Sequence, residues 1–165
     1  MPSHRTTRRV RHAAVDMFDL VADVEQYPRF LPLCQGLRVR RRLTNDAGQD
    51  VILADMQVGY GAIRETFTSR VTLYREELSI LVEYVDGPFR HLENRWTFRD
   101  IEGAERACEV EFFIDYEFAS RTLGLLMGSM FDTAFRKFAE AFEKRADFIY
   151  GRSGQLRKSS DERGT

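Results

Sequence analysis

The most informative stretch of this chain is residues 108–150, which read CEVEFFIDYEFASRTLGLLMGSMFDTAFRKFAEAFEKRADFIY. In the first part of this stretch, over residues 108–118, apolar and mostly acidic side chains alternate, with Phe113 as the exception, which predicts a strand with one buried face. Residues 121–150 contain no proline and repeat phenylalanine at helical spacing, so they predict one amphipathic helix of about 45 Å. A helix of that length is expected to cross and cover a small sheet.

The residues upstream predict the rest of that sheet. Turns containing glycine separate segments in which apolar and polar side chains alternate. At the Gly61 hairpin we pair Val58 with Ile63, which sets Met56 opposite Glu65. Because most of these strands have one polar face, we expect an antiparallel sheet that is covered on one side. The alternating segments are residues 36–43, 50–60, 63–74, 78–84, 91–98 and 108–118.

The N-terminal part of the chain predicts two short helical elements. Residues 13–23 place apolar side chains at helical spacing, and residues 27–33 contain two prolines that favour a helical turn or bend. Basic residues 6–10 predict an edge strand. The predicted fold is α+β, a curved antiparallel sheet wrapped around a long C-terminal helix with two short N-terminal helices. We assign residues 1–150 to this single domain and residues 151–165 to a disordered polar tail.

Composition argues against several classes of protein. The 25 Lys and Arg residues oppose 26 Asp and Glu residues, so the net charge is −1 and no DNA partner is expected. No apolar run reaches the roughly 18 residues of a membrane helix. Two cysteines rule out a disulfide scaffold and favour a reducing compartment. Because no metal-ligand spacing, phosphate loop or nucleophile motif occurs, we expect no metal, no cofactor and no catalysis.

The predicted inner face of the sheet carries many large apolar side chains. A strongly curved sheet over a long helix often leaves an apolar cavity between them. On the helix this face meets Met127, Met130 and Phe131, and methionine adapts to a flexible apolar ligand. The same side chains could instead fill a tight core. Both interpretations stay open at this point.

Two polar features also leave alternatives open. Glu65 has the inward phase of its strand, where burial would raise its pKa and let it form a hydrogen bond with a ligand carbonyl or hydroxyl. It could equally be a structural partner of an arginine such as Arg95. The basic stretch 37–43 could contact RNA phosphates or anionic lipid headgroups, or could protect a sheet edge from pairing.

Five separated stretches resemble the coenzyme Q-binding protein family of the START-like superfamily. The resemblance extends from about Thr7 to Gly151. It implies a helix-grip fold and a hydrophobic tunnel for a polyprenyl quinone such as ubiquinone, which family members deliver for respiration and quinone biosynthesis without a cofactor. A close branch is a ribosome-association toxin that hinders subunit joining. The five stretches are FDLVADVEQYPRFLP (18–32), RETFTSRV (64–71), GPFRHL (87–92), WTF (96–98) and FFIDYEF (112–118).

From these observations we expect a non-enzymatic lipid-binding protein of the bacterial cytoplasm, with peripheral membrane contact and ubiquinone as its ligand. The alternative is a regulator that binds the large ribosomal subunit through the basic stretch. A third possibility, which the resemblance to START-like proteins implies, is an aromatase or cyclase, for which only Glu65 could serve as the acid–base group. Residues 123–131 predict either one end of the helix packed under the bend at residues 27–33 or, together with Phe30 and Leu31, a movable lid that touches the bilayer. Glu65 or Tyr116 is expected near the quinone ring. The predicted tunnel lining is Phe30, Leu31, Met56, Phe67, Val82, Trp96, Phe112, Tyr116, Met127 and Phe131.

Overall fold

One antiparallel sheet and two consecutive C-terminal helices make up most of the fold. The structure is a computed structural model that describes residues 3–151. In chain order the elements are β1 (Ser3–Val10), α1 (Ala14–Ala22), a 3-10 helix (Val24–Arg29), β2 (Cys34–Thr44), β3 (Asp50–Tyr60), β4 (Ile63–Tyr74), β5 (Ser79–Asp86), β6 (Phe89–Asp100), β7 (Cys108–Phe118), α2 (Arg121–Arg136) and α3 (Phe138–Tyr150). The strand order is β1-β7-β6-β5-β4-β3-β2, so β1 and β2 form the two edges.

The predicted α+β architecture is confirmed. An antiparallel sheet carries the C-terminal helices on one face, and two short helical elements precede its second strand. The predicted N-terminal edge strand is present as β1, which pairs with β7 along its whole length. The predicted polar tail, residues 151–165, lies outside the described residues except for Gly151.

The hairpin between β3 and β4 differs from the prediction in its register. Tyr60 pairs with Ile63 across a two-residue turn, in which Gly61 adopts a φ of 61°. Val58 therefore pairs with Glu65, and the predicted pairing of Val58 with Ile63 is wrong by two residues because the turn is tighter than expected. Because side chains alternate with a period of two, a shift of two residues in the pairing leaves the same side chains of both strands on the inward face.

The predicted single C-terminal helix is divided at Lys137. Its backbone N–H donates to the carbonyl oxygen of Ala134 at 3.0 Å, three residues back rather than four, so the last turn of α2 tightens and α3 starts anew. The rings of Phe135 and Phe138, on either side of this division, contact each other with centroids 5.2 Å apart. The apolar stripe of the helix therefore continues through the division.

Helix α1 closes one end of the core. Met17 and Phe18 are fully buried, and the ring of Phe18 meets that of Phe98 on β6 at 6.1 Å. The N-cap residue of α1 is Ala13, whose side chain cannot accept a hydrogen bond from the helix. Instead, the backbone N–H of Ala14 donates to Oδ1 of Asp100 at 2.8 Å. Because Asp100 ends β6, this bond fixes α1 against the sheet.

Candidate functional site

A narrow apolar cavity lies between the inner face of the sheet and the helical cover. Its volume is about 80 Å³. Side chains of β3 to β7 form its floor, and the region where α2 meets α3 forms its roof through Ala134, Phe135 and Phe138. The division of the helix at Lys137 therefore lies directly over the cavity. Both earlier interpretations of the inner face hold in part, because a packed core surrounds a small space.

The bend after the 3-10 helix forms one wall of the cavity. Leu31, Pro32 and Leu33 all line it. Leu33 adopts a φ of 66°, a left-handed conformation that costs a leucine on the order of 1–3 kcal/mol. Its carbonyl oxygen accepts a hydrogen bond from the backbone N–H of Gly59 at 3.0 Å. The wall is thus held to β3 in a strained backbone conformation.

Tyr27 anchors this wall to the rest of the protein. Its hydroxyl donates to the backbone carbonyl of Val21, and its ring packs against Phe142 of α3 with centroids 5.2 Å apart. Burial raises the pKa of the Tyr27 phenol, so the group is neutral at physiological pH. Tyr27 lines the cavity as a neutral hydrogen-bonded group and contributes no charge to it.

Several residues predicted for the tunnel line this cavity. They come from the bend, from four different strands and from α2. These segments are separated in the sequence, and the tertiary structure brings them together. Their contact with a ligand stays a prediction. The predicted residues that line the cavity are Leu31, Met56, Phe67, Val82, Trp96 and Phe131.

Four other predicted residues lie around the cavity without lining it. Phe112 and Met127 are fully buried in the core, and the Phe112 ring contacts Trp96 at 4.7 Å. Tyr116 packs against Phe135 at 5.0 Å, and burial raises its pKa to about 12. Phe30 lies on the outer side of the bend, where it lines a separate cleft.

Glu65 is placed differently from the prediction. It is half-buried and pairs with Val58 near the β3–β4 turn, and it is absent from the cavity lining. Among the described residues that line the cavity there is no carboxylate, imidazole or amine. The cyclase interpretation, which needs Glu65 as its acid–base group at the cavity, gains no support from this placement.

Two polar side chains that were not predicted as site residues line the cavity. Asn94 donates through Nδ2 to the carbonyl oxygen of Phe113 at 2.8 Å and accepts from Nε1 of Trp96 at 2.9 Å. Ser69 is 6% exposed and lies in the otherwise largely apolar lining. Both occupy inward positions of their strands, so a polar residue in an otherwise apolar phase was the signal that could have found them.

The predicted lid does not form one surface. Leu31 is 5% exposed and belongs to the core, because the bend turns its side chain inward toward the cavity. The bend packs against α3, where the Phe30 and Phe142 rings lie 5.1 Å apart. In α2, by contrast, Gly124 faces Phe118 of β7, and Leu125 is 81% exposed. The two predicted parts of the lid therefore contact different neighbours.

The basic stretch lies on β2, at an edge of the sheet. A register shift between Val39 and Arg41 places Arg41 opposite Leu53, on the outer side of the sheet. Strict alternation of side chains along the strand predicts instead that Arg41 lies on the apolar face. Arg42 forms an ion pair with Glu25 of the 3-10 helix at 2.7 Å. Arg38 and Arg41 are exposed and make no ion pair within the described residues.

The two cysteines are unsuited to nucleophilic chemistry. Cys34 and Cys108 are buried and free. Burial raises the pKa of Cys34 to about 11 and that of Cys108 to about 12, so both thiols are protonated near neutral pH. Within residues 3–151, no group of metal-binding side chains is present, and no helix is long and apolar enough to cross a membrane.

Curated relatives of this chain carry two kinds of name. The chain is 37% identical over 150 residues to the ribosome association toxin RatA of Escherichia coli K12, covering 91% of this chain and 90% of that protein. It is 31% identical over 138 residues to the coenzyme Q-binding protein COQ10 homolog B, mitochondrial, of Xenopus laevis, covering 82% of this chain and 54% of that protein.

Solved structures share the fold. An 18 kDa protein from Caulobacter crescentus matches with a TM-score of 0.72 and 33% identity, covering 92% of this chain and 99% of that one. A START superfamily protein from Mycobacterium smegmatis matches with a TM-score of 0.72 and 19% identity, covering 89% and 98%. Residues 10–143 match the family described as polyketide cyclase / dehydrase and lipid transport. The chain therefore belongs to this START-like family, as its sequence motifs predicted.

Proposed function

We propose that this chain binds a prenyl quinone in its apolar cavity and delivers it without chemical conversion. The observation that carries the proposal is the cavity itself, which apolar and aromatic side chains line almost entirely and which contains no charged group among the described residues. A prenyl chain needs such a lining, and each buried isoprene unit contributes on the order of 2–3 kcal/mol. The name of the Xenopus laevis relative supports the choice of a quinone.

The cavity must open before it can hold a prenyl quinone. Its volume of about 80 Å³ is well below the roughly 300 Å³ at which ligand pockets begin. The bend at Leu31, Pro32 and Leu33 is the element best suited to move, because it forms a wall and contains the strained Leu33 backbone. The structure would then correspond to the closed, unloaded form.

Ser69 is the group we propose for the polar contact with the quinone ring. Ser69 is a small polar residue in a lining that is otherwise largely apolar, and it is 6% exposed. A quinone carbonyl oxygen would accept from its hydroxyl, and a neutral hydrogen bond of this kind contributes about 0.5–1.5 kcal/mol. Ser69→Ala should therefore weaken quinone binding by about two- to tenfold while leaving the apolar lining intact.

Organic extraction of the purified protein, followed by mass spectrometry, tests the proposal. We expect a prenyl quinone in the extract and uptake of quinone from loaded vesicles. Ser69→Ala should lower uptake, and Ser79→Ala, a half-buried serine outside the cavity lining, is the matched control. Repeated absence of quinone from the extract, together with no uptake from vesicles, would refute the proposal.

Delivery requires that the protein visit the bilayer in which quinones reside. We accordingly propose a bacterial cytoplasmic protein that contacts membranes peripherally and supplies quinone to respiration and quinone biosynthesis. The exposed apolar side chains of α3, Phe148 and Ile149, are a part of the described surface that suits such contact.

A second candidate function is binding to the large ribosomal subunit. It is favoured by exposed arginines on the edge strand β2, two of them without an ion-pair partner in residues 3–151, and by the name of the Escherichia coli relative. Phosphate contacts release counterions, so this binding should weaken as salt rises.

Cosedimentation with the large subunit at increasing salt tests this second function. The double variant Arg38→Gln/Arg41→Gln should reduce the slope of log affinity against log salt by about 1.4–1.8. Arg121→Gln, which removes an exposed arginine of α2, should leave the slope unchanged. Sedimentation profiles that do not respond to added protein at low salt would contradict it.

A further inference from the structure

A second cleft lies on the outer side of the bend. Its volume is about 440 Å³, and it runs between Phe30 and Pro32 of the bend and the exposed side of α3. Pro32 lines both this cleft and the inner cavity, and Phe30 packs against Phe142, which also lines the cavity. One layer of side chains therefore separates the two spaces.

The side of α3 that faces this cleft is basic. Lys137, Lys144 and Arg145 line it together with one acid, Glu140, which forms an ion pair with Lys144 at 3.1 Å. The acids of the next turn point elsewhere, because Glu143 binds Arg8 at 2.6 Å and Asp147 binds His12 at 2.7 Å, both toward β1. Both basic side chains of α3 therefore line the cleft, whereas two of its three acidic side chains do not.

Arg145 lines the cleft, and its guanidinium packs against two aromatic rings. Its guanidinium lies over the ring of Phe30 at 5.4 Å and over that of Phe148 at 5.1 Å. Its Nε is buried and makes no hydrogen bond within the described residues. A buried donor without an acceptor is costly, so this position favours a ligand that brings an oxygen atom. Phosphate oxygens match the fork of an arginine.

The rim of the cleft is apolar and open to solvent. Phe148 is 78% exposed, and the neighbouring Ile149 is also exposed. Basic side chains next to exposed aromatic and aliphatic ones are typical of a helix that lies on an anionic bilayer, with its cations at the phosphates and its apolar side chains among the acyl chains. The exposed Leu125 of α2 has no comparable set of cations, since Glu117 and Asp132 accompany Arg121 there.

We propose that this cleft binds the phosphate of an anionic phospholipid, with Arg145 as its central donor and Phe148 inserted into the bilayer. Docking here places the outer side of the bend, at Phe30 and Pro32, directly at the membrane surface, and the inner side of the same bend forms a wall of the cavity. This inference rests on the proposed membrane visits, whereas it does not depend on which apolar ligand the cavity holds.

Cosedimentation with phosphatidylcholine vesicles, with and without phosphatidylglycerol, tests the inference. Arg145→Gln should lower binding to the anionic vesicles by about fivefold and leave the weak binding to neutral vesicles unchanged. Phe148→Ser should lower binding to both. The matched controls Arg121→Gln and Leu125→Ser, which alter the exposed charge and apolar side chain of α2, should bind like the unmodified protein.

Several outcomes would overturn the inference. They are unchanged binding of the Arg145 and Phe148 variants, a loss confined to Leu125→Ser, and equally tight binding of free inorganic phosphate at the same ionic strength, which would indicate a site for a soluble anion. Loss of ribosomal RNA binding by Arg145→Gln with unchanged vesicle binding would also overturn it. Normal vesicle binding by a protein whose extracts contain no quinone would refute the cavity proposal alone.

Discussion

Replacing Ala134 with leucine should abolish uptake of prenyl quinone while the protein stays folded. Ala134 lies in α2, is buried and lines the cavity beneath the division of the helix. The three added carbon atoms would fill much of the space of about 80 Å³ present in the closed form, and in the opened form they would occupy the room beneath the roof where the prenyl chain would lie. Overpacking of this kind costs about 1–3 kcal/mol, which a folded domain tolerates. Uptake from quinone-loaded vesicles and extraction with mass spectrometry measure the effect.

Ala139→Leu is the matched control for this variant. Ala139 is a buried alanine of α3 that does not line the cavity. It should suffer a comparable loss in the free energy of unfolding and keep its quinone uptake. A full complement of quinone in the Ala134→Leu protein would show that the ligand occupies some other part of the molecule.

Truncating Phe142 to alanine should cause the largest loss of stability. The ring is 1% exposed and contacts Tyr27 at 5.2 Å, Phe30 at 5.1 Å and Trp96 at 5.0 Å. It therefore connects the 3-10 helix, the bend, the sheet and α3 at one point. Removing such a ring costs about 3–5 kcal/mol, because the space it leaves cannot fully collapse. Urea unfolding followed by circular dichroism measures this difference.

Phe148→Ala provides the control from the same helix. Phe148 is mostly exposed, so its truncation should change the free energy of unfolding by no more than about 0.5 kcal/mol. Similar small losses in both variants would mean that the cluster of rings around Phe142 contributes little to the stability of the fold.

Local periodicity explains why the element types could be predicted. Side chains of a strand alternate between two faces, and those of a helix return to the same face every three to four residues. Burial of one face therefore produces a periodic pattern of apolar residues in the sequence. This holds for β7, where Val110, Phe112 and Ile114 are buried as predicted. It holds equally for the stripe of phenylalanines on the C-terminal helices, of which Phe131 and Phe142 are buried.

Features that depend on how two segments meet were predicted less well. The register of the β3–β4 hairpin follows from a two-residue turn, and the placement of Arg41 follows from an irregularity that exists only because β2 pairs with β3. Neither has a marker in the periodicity of one segment. Glu65 was assigned to the same face of β4 as Phe67 and Ser69, yet those two side chains line the cavity and Glu65 does not.

Sequence alone determined the class of the fold, the inward-facing residues and the family, because each is recorded in local patterns of apolar side chains and in short motifs. Only the tertiary structure decided where space remains. Whether Phe30 lines the inner cavity or the outer cleft, and whether Arg145 finds a partner, depends on how the bend packs against α3, more than a hundred residues away along the chain. The size of a cavity depends on how closely several segments pack against one another, and no single segment of the sequence determines that packing.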